Sequence, residues 1–227
     1  MKRNHLKFSE AKEYLREGDI LLFRGTGIVS FFIKRASEGK YSHVGVASSH
    51  GRGDDKMWEC VEFREGKGGR TVNLEQYVRT HNAIIDVYRP KSEIKKSVFE
   101  KHGDKWEYKE NRFAFDGKCV TNIMRRLTGL PYGWRRIWWM ATNKLPFLRI
   151  FMDIQSVASD KPQDIVYPVC STAVAYSFSR CDYDLVHNRA SNWTEPSDIA
   201  RSSLIHYLFT LDADSGESLP WGMWPDE

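Results

Sequence analysis

This sequence predicts an α+β fold, and three features of it do so. Residues 19–90 consist mostly of short apolar runs of strand length, separated by Gly- and Asp-containing turns. From about Lys91 the pattern turns helical, until a last strand-like run, "LIHYLFTLD". Strands gathered first and helices later suit an antiparallel sheet with helices packed on it. The chain has 227 residues, 41% apolar and 28% charged, enough for one cored domain with an insertion.

"FSEAKEYLREGD" reads as a short helix opened by Ser9, with Gly18 after its end. "DILLFRG" is then a buried strand. "TGIVSFFIKRAS" has helical spacing and basic residues near its end, as the helix dipole favours. The Gly-x-Gly that opens it lacks the third glycine and the lysine-serine pair of a phosphate loop, so it reads as a tight turn. "SHVGVASSH" and "MWECVEF" are strands flanking the turn-prone "GRGDD", which predicts a hairpin. "TVNLEQYVRT" gives a short strand and a helical turn, and "AIIDVYRP" a strand ended by Pro90. "SEIKKSVFEKHGDKWEYKE" and "GKCVTNIMRRLTG" read as helices, as do "YPVCSTAVAYSF" and the capped "EPSDIARSS". The predicted organisation is one domain over 1–227, a helical insertion at 91–164 and a turn-rich tail at 213–227.

Composition removes several functions. No apolar run approaches the ~20 residues of a membrane span. The N-terminus lacks the apolar stretch and small-residue cleavage site of a secretory signal, so a cytoplasmic protein is expected. The four cysteines lack CxxC pairing and are read as free thiols. The seven histidines form no HExxH or knuckle spacing, so neither a metal nor another cofactor is expected. Net charge is +4, too weak to argue for nucleic acid. That charge is local, because seven basic residues and no acidic one lie between Asp116 and Asp153. Arg135, Arg136, Trp138 and Trp139 sit there, and arginines beside tryptophans suit an anionic membrane or cell-wall surface. A helical insertion packed by its tryptophans explains the same pattern.

Chemistry centres on Cys170. A thiol reacts as its thiolate, and the free N–H groups and dipole at a helix start favour that form. Pro168 suits the first helical position, which places Cys170 in the first turn, with small residues following from Ser171. Cys181 lies at the opposite, unfavourable end of the same helix, while Cys119 opens a helix of its own. A cysteine nucleophile needs a base, and that base needs an orienting group. In "YSHVGVA" the two-residue period puts His43 beside Gly45 and Ala47, opposite Val44 and Val46. In "MWECVEF", Glu59 is a carboxylate on the otherwise apolar face of Met57, Val61 and Phe63. Burial of it requires a partner, and an imidazole from the adjacent strand would serve. Glu62, on the other face, is the alternative orienter. Tyr41 shares the face of His43 and is a candidate supporting hydrogen-bond donor.

"GDILLFRGTG", "YSHVGVA", "WECVE", "VCSTAVAYSF" and "EPSDIARS", in that order, resemble the circularly permuted papain-like cysteine hydrolases. These form the YiiX-like branch of the NlpC-type cell-wall peptidase superfamily, related to the lecithin retinol acyltransferase-like enzymes. The likeness covers about residues 17–90 and 165–212. Family members often follow the cysteine with an acidic residue or serine and then a leucine-valine pair; here Thr172, Ala173 and Val174 follow Ser171. The resemblance implies a permuted papain-like fold with Cys170 as nucleophile, His43 as base and Glu59 as orienter. It implies cleavage of an amide, as in a cell-wall peptidase or amidase of bacterial or phage origin. The alternatives are a lipid acyltransferase or acyl hydrolase using the same site, and a non-catalytic domain that docks a membrane or wall. Release by lysis or carriage in a phage particle would bring such a chain to its wall substrate.

Overall fold

The computed structural model describes residues 4–24, 39–51, 53–80, 84–102, 105–133, 169–186, 191 and 194–212. A seven-stranded sheet is its frame: β1 (His5–Lys7), β2 (Ile20–Arg24), β3 (His43–His50), β4 (Met57–Arg64), β5 (Gly68–Asn73), β6 (Ile84–Pro90) and β9 (Ile205–Asp212). Their spatial order is β1-β9-β6-β2-β3-β4-β5, antiparallel except for the β1–β9 pair. A separate hairpin joins β7 (Glu93–His102) to β8 (Lys105–Ala114). The helices are α1 (Phe8–Ala11), α2 (Leu74–Thr80), α3 (Gly117–Arg126), α4 (Cys170–Ser179) and α5 (Pro196–Ala200). The chain is therefore a mixed α+β protein with a mostly antiparallel sheet.

Both faces of the sheet are covered. Ile20, Leu22, Val44, Val46, Val61 and Phe63 pack with Cys170, Ala173, Val174 and Phe178 of α4. On the other face Leu21, Phe23, Ala47, Cys60, Ile85 and Val87 pack with residues of α1 and α2. A strand buried on both sides has no need of a polar face, which is why "ILLF" runs unbroken. Ala173 and Ala175 let α4 lie close to β3 and β4.

Three expectations need correction. Residues 93–114 form a β-hairpin, not a helix. The hairpin carries opposite charges across its strands, with Lys95 Nζ 2.8 Å from Glu110 Oε1 and Arg112 Nη1 3.4 Å from Glu93 Oε1. Such a ribbon, exposed along most of its length, shows little amphipathic alternation, so its sequence mimics a solvated helix. Secondly, Cys119 and Cys181 are not free: they form a disulfide, Cα to Cα 6.0 Å. It ties the start of α3 to the residue just beyond the C-cap of α4. Cys60 and Cys170 are free and buried. Thirdly, α4 begins at Cys170 with Val169 as N-cap, so the first helical position expected for Pro168 is held by Cys170 itself. Valine offers no side-chain acceptor there. Thr172 Oγ1 instead accepts the Val169 N–H at 2.9 Å, half of a capping box.

Candidate active site

The position of His43 follows from β-pairing. It is the first residue of β3, opposite Phe23 of β2, whose ring meets the imidazole edge-on at 5.0 Å. The β3–β4 register pairs Gly45 with Glu62, which puts Glu62 on the face of His43 and one row away. Glycine at 45 opens the path between them. A Cβ there would stand 2.5 Å from Cys60 Sγ and 3.3 Å from Glu62 Cβ. The space beside His43 is thus used by side chains of β4.

Glu62, not Glu59, is the carboxylate at the imidazole. His43 Nε2 donates to Glu62 Oε2 at 2.6 Å. Glu59 sits across from Ser48 on the opposite face, where Arg125 of α3 pairs with it and with Ser48 Oγ, the latter at 3.0 Å. The reasoning that Glu59 needs a partner holds, but a helix supplies it.

Glu62 has no exposure to solvent, and its carboxylate is saturated. Arg70 of β5 donates Nε and Nη2 to Oε1 at 2.8 and 2.6 Å. The Tyr77 hydroxyl of α2 lies 2.8 Å from Oε2 and 3.1 Å from Oε1. Arg64 in turn donates to the Tyr77 oxygen. Burial works to raise the Glu62 pKa, but the imidazolium charge of His43, with Arg70 behind it, holds it down at about 2. Burial likewise works against the His43 imidazolium, yet the charges of Glu62 and Cys170 push its pKa up to about 10.

Cys170 is the other partner of that ring. Its charge acts on the imidazole and favours the protonated ring, and since Nε2 is committed to Glu62, Nδ1 is the nitrogen left for the thiol. At the first position of α4 its own N–H has no acceptor within the helix. Tyr132 completes the surroundings: its phenol is buried and feels the charge of Cys170. Burial and the charges of Cys170 and Glu65 keep that phenol protonated well above its ordinary range. Backbone bonds place this residue. Gly69 N donates to Leu130 O at 2.9 Å, and Gly129 N donates to Gly69 O at 2.9 Å, so the segment after α3 lies along β5.

Sequence reasoning missed Arg70, Tyr77 and Tyr132. Nothing in "GGRTV" or "LPYGW" marks them, because each acts through a strand pairing or a loop path that the local pattern does not encode. The other candidates lie elsewhere. Tyr41 is buried, donates to Asp86 Oδ2 at 2.7 Å and meets the Tyr88 hydroxyl at 2.9 Å, so it supports a separate polar cluster and not His43. Ser171 is buried at the second position of α4. Arg135, Arg136, Trp138 and Trp139 lie outside the described residues.

Against known proteins, no family model and no curated protein matches the chain. Among solved structures it is similar to the metalloprotein yiiX from Escherichia coli O157:H7, DUF1105. The TM-score is 0.54 at 11% identity, over 85% of this chain and 96% of that one. The fold is YiiX-like. At that identity the likeness concerns the fold alone. Among the described residues no group of three or more His, Cys, Asp and Glu side chains is placed to hold a metal ion, so no step is derived through one. Nor, among those residues, is any helix long and apolar enough to cross a membrane.

Proposed function

We propose that the chain is a cysteine hydrolase of permuted papain-like type, cleaving an amide bond through Cys170, His43 and Glu62. The observation that carries this reading is a thiol at a helix start acting on an imidazole that is itself hydrogen-bonded to a fully buried carboxylate. Buried ionisable groups need a reason, and this set has the three roles of acyl transfer in one line.

The steps follow from the geometry. Transfer of the thiol proton to Nδ1 gives a thiolate–imidazolium pair, which Glu62 stabilises from the far side of the ring. The thiolate attacks the carbonyl carbon, forming a C–S bond and an oxyanion. The Cys170 N–H at the helix start, with the Tyr132 hydroxyl beside it, serves as donor to that oxygen. The C–N bond then breaks as His43 gives its proton to the leaving amine. Water, deprotonated by His43, attacks the thioester, the C–S bond breaks, and a carboxylic acid leaves with Cys170 restored. The resemblance in the sequence favours cell-wall peptide as the substrate. The Cys119–Cys181 disulfide favours work outside a reducing cytosol, as for a chain released by lysis or carried in a particle.

The test is incubation of the protein with soluble cell-wall peptides, read by mass spectrometry. Cleavage by wild type, and none by Cys170→Ala or His43→Ala with unchanged circular dichroism, is expected. A thioester trapped on Cys170 from a lipid ester, without amide cleavage, would instead make it an acyltransferase. Cleavage that survives Cys170→Ala would end the reading.

A further inference from the structure

We infer that Arg70 and Tyr77 are positioning residues, which fix the Glu62 carboxylate so that it presents Oε2 to His43 and thereby govern the reactivity of Cys170. This rests on the catalytic reading above and extends it to two residues whose hydrogen bonds go to the carboxylate.

A glutamate side chain has three rotatable bonds, and its two oxygens are equivalent until something distinguishes them. Here they are distinguished. Oε1 takes both donors of the Arg70 guanidinium, and Oε2 takes His43 together with the shorter Tyr77 contact. The guanidinium is planar, so two bonds to one carboxylate oxygen restrict how that group can turn. Tyr77 has one hydroxyl proton, and Arg64 occupies its oxygen as a donor. That proton is therefore left for Glu62. Phe23, 5.4 Å from the Tyr77 ring and 5.0 Å from the imidazole, closes the remaining side.

Each donor to the carboxylate comes from a different element: His43 from β3, Arg70 from β5 and Tyr77 from α2, with Arg64 of β4 behind the Tyr77 hydroxyl. Three elements converging on one carboxylate are more than burial requires. Asp19, another buried carboxylate with an arginine partner, takes one side chain, Arg89 at 2.9 and 2.7 Å, and one backbone N–H, that of Arg16 at 2.8 Å. Among the described residues, the charged and titratable groups about His43 are Glu62 and Cys170, with Arg70 and Tyr77 bonded to the Glu62 carboxylate and Tyr132 near Cys170. Arg64 and Glu65 stand near Tyr132. Arg70 thus compensates the carboxylate, while the imidazolium remains available to the thiol.

The experiment measures the alkylation rate of Cys170 by iodoacetamide at pH 7, located by peptide mass mapping, in the intact chain. No substrate is needed. Arg70→Met is expected to slow the reaction by about tenfold, and Tyr77→Phe by about threefold, because the imidazole that serves the thiol is less firmly oriented. Arg70→Lys, which keeps the charge and loses the fork, should fall between wild type and Arg70→Met. In a His43→Ala background, where the imidazole is gone, Arg70→Met should change the rate by less than about twofold. Equal slowing in both backgrounds would mean that Arg70 acts without His43, and would overturn the inference. So would a lowered melting temperature in both single variants with the wild-type rate retained, since a structural brace does only that. Failure of His43→Ala itself to slow alkylation would instead remove the catalytic reading, a result distinct from the first two.

Discussion

Replacing Glu62 by Gln is the sharpest perturbation of this site, because it removes a charge while keeping the side chain's shape. The magnitude can be worked from His43. Raising an imidazole from its ordinary 6.5 to about 10 corresponds to about 5 kcal/mol favouring the charged ring. Burial opposes that charge, and Glu62 and Cys170 together overcome the opposition. If they share the effect, Glu62 accounts for on the order of 2–3 kcal/mol. Without it, His43 should titrate roughly two units lower, at about 8. The sign for stability follows. A raised histidine pKa gives stability that is complete below about 6.5 and is lost as pH rises through about 10. The lowered Glu62 value gives stability that is complete above about 4.5 and is lost as pH falls through about 2. Wild type should therefore exceed Glu62→Gln most between pH 4.5 and 6.5, with the gap closing on either side. Two assays read this: histidine nitrogen resonances titrated by NMR, and urea unfolding across the pH range. A His43 that still titrates near 10 in Glu62→Gln, or a stability gap that stays constant to high pH, would refute the coupling.

Other consequences are simpler. Gly45→Ala should cost roughly 1–3 kcal/mol in urea unfolding and slow Cys170 alkylation, since the new Cβ meets Cys60 Sγ and crowds Glu62; a neutral outcome would mean that the β3–β4 row is looser than described. Glu59→Gln should lower stability by about 1 kcal/mol and leave Cys170 alkylation within about twofold, because its partner is Arg125 and not His43. Replacing Cys119 and Cys181 by Ser should lower stability by roughly 4 kcal/mol, given the 62-residue separation they close, and mass spectrometry of the intact oxidised chain should show only two alkylatable thiols after unfolding.

The contrast between Glu59 and Glu62 shows what the sequence could carry and where it stopped. A two-residue period assigns Glu59 to one face of β4 and Glu62 to the other, and it puts His43 with Gly45 and Ala47. Both assignments agree with the strand pairing. What the period cannot supply is which face of β4 continues which face of β3. That depends on register, set here by a turn that includes Gly51, at φ +84°, and a short 3-10 segment at Gly53–Asp55. A shift of one residue exchanges the two glutamates. The apolar neighbours of Glu59 point the wrong way, because they show only that the face is buried, and a helical arginine can satisfy a carboxylate as well as an imidazole can. Cys170 and His43 were legible because each is marked locally, by a helix start with small residues and by a strand with a glycine neighbour. Arg70, Tyr77 and Tyr132 were not, because their partners lie across strand pairings and loop paths. The disulfide escaped for the same reason: 62 residues separate its cysteines, and only the packing of α3 against the far end of α4 brings them together. Local pattern thus names the two reacting groups, while the groups that tune them are set by long-range register, so a single strand slip would leave the thiol and imidazole in the sequence and remove the chemistry from the fold.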